Sequence, residues 1–157
     1  MTQNIILGLR SVQVLFAIIV LGLTAYAVNS SQGSSPDEVN FLLFDAIWTM
    51  LIAVPYLVLS PLYFPAVAHK YALIAAEAIT LLFWFAGFIA LAALLPPAGI
   101  CKHYTFCKVL QAATVFGAFE WLLFVATAVL VVVLPLVRGR ETHKPEAGVN
   151  MQAHVGV

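Results

Sequence analysis

The chain has 157 residues, 63% of them hydrophobic and 9% charged, with no net charge at neutral pH and a mean hydropathy of +1.03. Soluble domains carry about 25% charged residues, so this composition excludes a dispersed soluble domain, and the zero net charge offers nothing to attract a nucleic acid. The length suits one domain.

The first apolar run, Val12 to Val28, follows a single charge, Arg10. Arg10, the apolar core and Ala25-Tyr26-Ala27 have the layout of a secretory signal peptide. The competing reading is a retained membrane helix over 5–28, with Arg10 and Gln13 near one surface. The run is longer than a usual signal core, and its removal would leave the two chain ends on opposite faces, so the retained helix is expected. Residues 29–40, NSSQGSSPDEVN, are polar and form a loop. Asn29-Ser30-Ser31 matches a glycosylation sequon, but its place against the membrane leaves a transferring enzyme little clearance. Pro36-Asp37-Glu38 has the look of a helix start, with acids where the helix dipole favours them.

A second span is expected over 41–59, with Asp45 near its start and Pro55 near its end; Ser60-Pro61 and Pro65 should stop it. Tyr63, Phe64, Lys70 and Tyr71 suit a membrane–water interface. The third span, 71–95, is apolar around its whole circumference and carries one ionisable group, Glu77. At ~1.5 Å per residue it covers roughly 37 Å, enough for a ~30 Å hydrocarbon core with some tilt. Pro96-Pro97 ends it, and residues 98–108, AGICKHYTFCK, read as a loop. The fourth span is expected over 109–137, and residues 139–157 read as a disordered tail without apolar period.

Four spans put both chain ends on one side. Arg10, Lys70, Arg138, Arg140 and Lys144 fall on that side, against Lys102 and Lys108 on the other, so both termini are expected in the cytoplasm.

Three carboxylates lie inside the spans: Asp45, Glu77 and Glu120. A lipid-facing charge at the bilayer centre costs about 3 kcal/mol or more, so each must face protein or water, or be neutral. Each shares a helical face with small or hydroxyl residues and an indole: Asp45 with Trp48 and Thr49, Glu77 with Thr80, Trp84 and Gly87, and Glu120 with Ala113 and Gly117. These are bundle-interior faces. Asp45 lies about one turn from the outer surface, Glu77 under two turns from the inner one and Glu120 roughly three turns from the outer end, so their depths differ by roughly 8–10 Å per step at ~1.5 Å per residue, which disfavours a continuous proton relay. Arg10 matches Glu77 in depth, so a structural Arg10–Glu77 pair is plausible. Glu120 has no basic partner at its depth and is expected to be a neutral carboxyl, hydrogen-bonded to a Thr, a Trp or a backbone carbonyl. Structural polar contacts between helices and a transport or sensing role remain the competing uses of these acids.

Cys101 and Cys107, with five residues between them, lie in the outward loop. An oxidising face favours a disulfide; the rival is a metal site with His103, for which only three ligands are at hand where structural zinc takes four. No phosphate loop, nucleophilic triad or exposed carboxylate pair is present. Beyond the last span, Arg138, Arg140, His143 and Lys144 could bind anionic lipid or serve as a stop-transfer flank.

The stretches EAITLLFWFAGFIALA (77–92), CKHYTFCK (101–108) and QAATVFGAFEWLLF (111–124) resemble the fungal membrane-associating MARVEL-domain proteins. The order matches as well: four spans, a two-cysteine loop between the third and fourth, and a polar tail. The resemblance covers roughly 5–138 and rests mostly on the third and fourth spans. It implies an M-shaped four-helix bundle with cytoplasmic termini, and association with lipid microdomains, membrane apposition or vesicle traffic, without catalysis.

The combined expectation is an all-α, integral membrane four-helix bundle, 1–138, with a cytoplasmic tail. It has no enzymatic activity, cofactor or metal, and its partners are the lipid bilayer and copies of itself or other membrane proteins. It belongs in the plasma membrane or a secretory-pathway membrane. The alternative is a proton-linked transporter or channel using the intramembrane carboxylates.

Overall fold

The long apolar runs belong in lipid, where every backbone N–H and C=O must be paired within the chain. Helices satisfy that demand segment by segment. The computed structural model describes residues 2–63, 70–97 and 99–133, and all regular structure among them is helical. Four of the helical runs are long and apolar enough to cross a membrane.

Helix α1 covers Thr2–Ser30. It stops where Gln32 and Gly33 take positive φ angles of 48° and 89°, the left-handed conformation that ends a helix. Pro36 then caps α2, Asp37–Trp48, whose first turn carries Asp37 and Glu38. A π-helical turn, Thr49–Ala53, joins α2 to α3, Val54–Tyr63, so that the second span is one interrupted helix. The cause is Pro55. It has no N–H for the Leu51 carbonyl, and its ring would crowd that carbonyl in a regular α-helix. The wider turn relieves the crowding. A second π turn covers Val129–Val133, and in the sequence it too is followed by a proline, Pro135.

Helix α4 covers Lys70–Leu94, and Pro96-Pro97 follow it. A short 3-10 turn, Ile100–His103, leads through the extended Tyr104 into α5, Thr105–Ala128.

Three boundaries differ from expectation. The second span begins at Asp37, four residues before Phe41, because Pro36 caps it directly. It also runs through Ser60-Pro61 to Tyr63; a membrane helix tolerates proline where neighbours re-pair the freed carbonyl. The fourth span begins at Thr105 and not at Val109, because Tyr104 ends the 3-10 turn and its carbonyl already accepts the Lys108 N–H at 3.2 Å. Part of the expected loop is therefore the first turn of α5.

Each span buries one narrow stripe at alternating three- and four-residue spacing. On α1 it is Arg10, Gln13, Ala17, Val20, Thr24 and Ala27. On α4 it is Glu77, Thr80, Trp84, Gly87 and Leu91, and on α5 it runs from Cys107 through Leu110, Ala113, Gly117, Glu120 and Phe124 to Thr127. That is the seam of a coiled-coil-like bundle. The remaining faces carry exposed Leu, Ile, Phe and Val, which the hydrocarbon solvates. Helix α1 packs against α2 and α5, and α4 packs against the same two, so the helices form a ring with α1 facing α4 and α2 facing α5 across its diagonals.

Candidate intramembrane polar core

The inward stripes carry the polar residues of the spans. Near the chain ends four side chains from three helices close a ring of hydrogen bonds. Arg10 donates from Nη2 to Glu77 Oε2 at 2.6 Å, a salt bridge between diagonally opposed α1 and α4. Its Nη1 donates to Gln13 Oε1 at 2.9 Å. Gln13 Nε2 donates to the Thr127 hydroxyl at 3.3 Å, and that hydroxyl lies 2.5 Å from Glu77 Oε1, to which it donates. The guanidinium also stands 5.5 Å from the Phe124 ring centroid, a cation–π contact. Arg10 and Glu77 are almost fully buried. In such a setting an ion pair holds only if further hydrogen bonds support it; the ring through Gln13 and Thr127 supplies them to both Glu77 oxygens and to one further guanidinium nitrogen.

One level further in, two indoles tie α4 to the second span. Trp84 Nε1 donates to Thr49 Oγ1 at 2.9 Å, and Trp48 Nε1 donates to Thr80 Oγ1 at 3.1 Å. Thr80 passes its own proton to the Ala76 carbonyl at 2.8 Å.

Asp45 and Glu120 are arranged differently. Both are fully buried, and among the described residues no oxygen of either carboxyl has a hydrogen-bond partner. For Glu120 this corrects the expectation of a bond to a Thr, a Trp or a backbone carbonyl. The indole of Trp48 is taken by Thr80 and that of Trp84 by Thr49. Trp121, next to Glu120, turns instead to Phe85 and Phe88, with ring centroids 5.5 and 6.0 Å away. Asp45 fits because Gly87 stands opposite: a Cβ there would come within 2.6 Å of Asp45 Oδ2 and 2.8 Å of Leu42 Cδ1. A Cβ on Gly117 would lie 3.2 Å from Phe88 Cβ and 3.7 Å from the same Leu42 methyl. Leu42 thus touches both glycines, with Asp45 and Glu120 each three residues further along its own helix. The two acids therefore flank one packed layer, nearer in depth than counting residues from the span ends suggests.

Sequence reasoning placed Arg10, Asp45, Glu77 and Glu120 on interior faces. It missed Thr127 and Phe124, although both continue the three-and-four spacing of Gly117 and Glu120.

At the opposite end, Cys101 in the 3-10 turn and Cys107 in the first turn of α5 are buried and lie side chain against side chain, with Cα atoms 5.2 Å apart. That separation is within the range a disulfide requires. Among the described residues no group of three or more His, Cys, Asp or Glu could hold a metal ion. Asn29 lies in the last turn of α1 and is exposed. The basic cluster Arg138, Arg140 and Lys144 lies outside the described residues.

Chemically, the interior offers buried pairs and hydroxyl–indole contacts between helices, and two carboxyls without partners. No curated protein and no solved structure matches the chain. The MARVEL family, described as a membrane-associating domain, matches residues 4–130, which takes in all four spans. With that match over most of its length, on a bundle of four membrane-crossing helices, the chain belongs to the MARVEL membrane-associating domain family.

Proposed function

We propose that this protein is a non-enzymatic tetraspan organiser of membrane microdomains, membrane apposition or vesicle traffic, acting through lipid and protein contacts. The observation that carries the reading is the family match across all four spans. The interior is consistent with it, since most of its polar groups are spent on holding helix to helix. In this reading residues 1–138 are the membrane unit with both termini cytoplasmic, as the basic bias suggests. Residues 139–157 are a cytoplasmic tail whose Arg138, Arg140 and Lys144 flank reaches anionic headgroups. Cys101 and Cys107 form a disulfide on the outer face, and the resemblance carried by the motifs FWFAGF and GAFEWLLF supports a fungal origin. The membrane is the plasma membrane or one of the secretory pathway. The test is the distribution of labelled protein in giant vesicles with coexisting lipid phases. The proposal expects enrichment in one phase and self-clustering; uniform dispersal overturns it.

A second reading is favoured by one observation. Asp45 and Glu120 are buried carboxyls without protein partners, and intramembrane acids often mark ion pathways. Under this reading the protein moves protons, and Glu120→Gln would abolish the movement.

A further inference from the structure

A groove of about 310 Å³ lies on the membrane-spanning surface between α1 and the second span. Leu7, Arg10 and Val14 form one wall, with Val54, Pro55 and Val58 opposite. Helix α1 packs closely on α2 but only sparsely on α3. The groove opens where the π turn and Pro55 carry the second span away from α1. Its surroundings in the bilayer are acyl chains, and its wall is apolar except at Arg10 and Ser11.

Arg10 makes this more than a lipid-filled furrow. A guanidinium has five N–H donors; the bonds to Glu77 and Gln13 account for two. Arg10 is one of the residues lining the groove, so an acceptor entering there comes close to a charged donor, and such hydrogen bonds are stronger than neutral ones. The charge itself is already balanced by Glu77. A phosphate drawn to this depth would bring an uncompensated negative charge out of water, at a large penalty. A neutral carbonyl avoids that penalty. Arg10 is eight residues from the start of α1. At ~1.5 Å per residue it lies roughly 12 Å in, a few ångströms below the headgroup boundary. Leu7, one turn nearer the end of the helix, brings the groove up to the level where acyl ester groups sit.

We infer that this groove holds one diacyl glycerophospholipid, with an acyl chain along Val14, Val54 and Val58 and an ester carbonyl accepting a hydrogen bond from Arg10. The inference rests on the lipid-contact reading above and names the contact.

The test uses the full-length protein purified in detergent. It is offered phosphatidylcholine with ester-linked chains and its dialkyl ether analogue, which has the same headgroup and chain length but no ester carbonyl. Lipid retained after gel filtration is counted by native mass spectrometry. The expected result is one lipid per chain, with the ester form retained at least fivefold over the ether form, and ester phosphatidylglycerol retained like ester phosphatidylcholine. Val58→Phe, which fills the groove without touching the Arg10–Glu77 pair, should remove the preference. Equal retention of ester and ether lipids, retention of neither, or an anionic preference that persists in ether lipids overturns the inference, as does a Val58→Phe protein that keeps the ester preference. Phase partitioning in giant vesicles is scored separately and reports on the wider role.

Discussion

Removing Arg10 should destabilise the bundle more than any other single truncation on α1. Arg10→Ala deletes the 2.6 Å bond to Glu77, the 2.9 Å bond to Gln13 and the contact with the Phe124 ring. Glu77 is then left buried with one oxygen bonded to Thr127 and the other unpaired. Breaking one side of a buried pair costs about 3–5 kcal/mol. The retained Thr127 bond places this case near the lower end, at about 3 kcal/mol. Glu77→Gln strands the guanidinium in the same way. The Arg10→Ala, Glu77→Gln double variant has no stranded charge, so its loss should fall short of the sum of the single losses by about 1–3 kcal/mol. The assay is reversible unfolding in mixed micelles with increasing sodium dodecyl sulfate, followed by tryptophan fluorescence. Losses that add strictly would refute the idea that the two residues stabilise the bundle as a pair.

Gly87→Ala should destabilise by about 1–3 kcal/mol, because the new methyl displaces Asp45 and Leu42 from contacts at 2.6 and 2.8 Å. Gly117→Ala, with its nearest neighbour at 3.2 Å, should destabilise less; the reverse order in the same unfolding assay would contradict the packing described. Alkylation without prior reduction should leave Cys101 and Cys107 unlabelled, and replacing both by Ser should cost no more than about 2 kcal/mol, since the ring they close is small. Two labelled thiols in the mass spectrum would mean an open loop. A tag after Val157 should resist external protease in intact cells, and its digestion would place the termini outside.

The four spans are legible in the sequence because the bilayer imposes a coarse requirement: a long apolar run, met by a helix. The interior stripes are legible for the same reason, since a charged or hydroxyl side chain in such a run can only turn inward. Arg10 and Glu77 could be matched by depth from their distances to the span ends. The ring through Gln13 and Thr127 could not, because it depends on how α5 sits along its axis, and α5 starts at Thr105, four residues before Val109. The expected partner of Glu120 was misjudged for a related reason. Each indole N–H has one proton to give, and which hydroxyl receives it depends on the rotation of neighbouring helices. Trp48 and Trp84 both choose threonines. Pro55 announced a distortion, but only packing shows that it becomes a π turn and a continued helix where a chain break could equally have followed.

The proposal that the protein organises membrane, and is not a conduit through it, meets its sharpest test at Glu120. Purified protein is reconstituted into vesicles loaded with a pH-sensitive dye, and a proton gradient is imposed from outside. Proton entry equal to that of protein-free vesicles, for both the wild type and Glu120→Gln, is the predicted result. Entry that is fast in the wild type and falls to the protein-free rate in Glu120→Gln would contradict it.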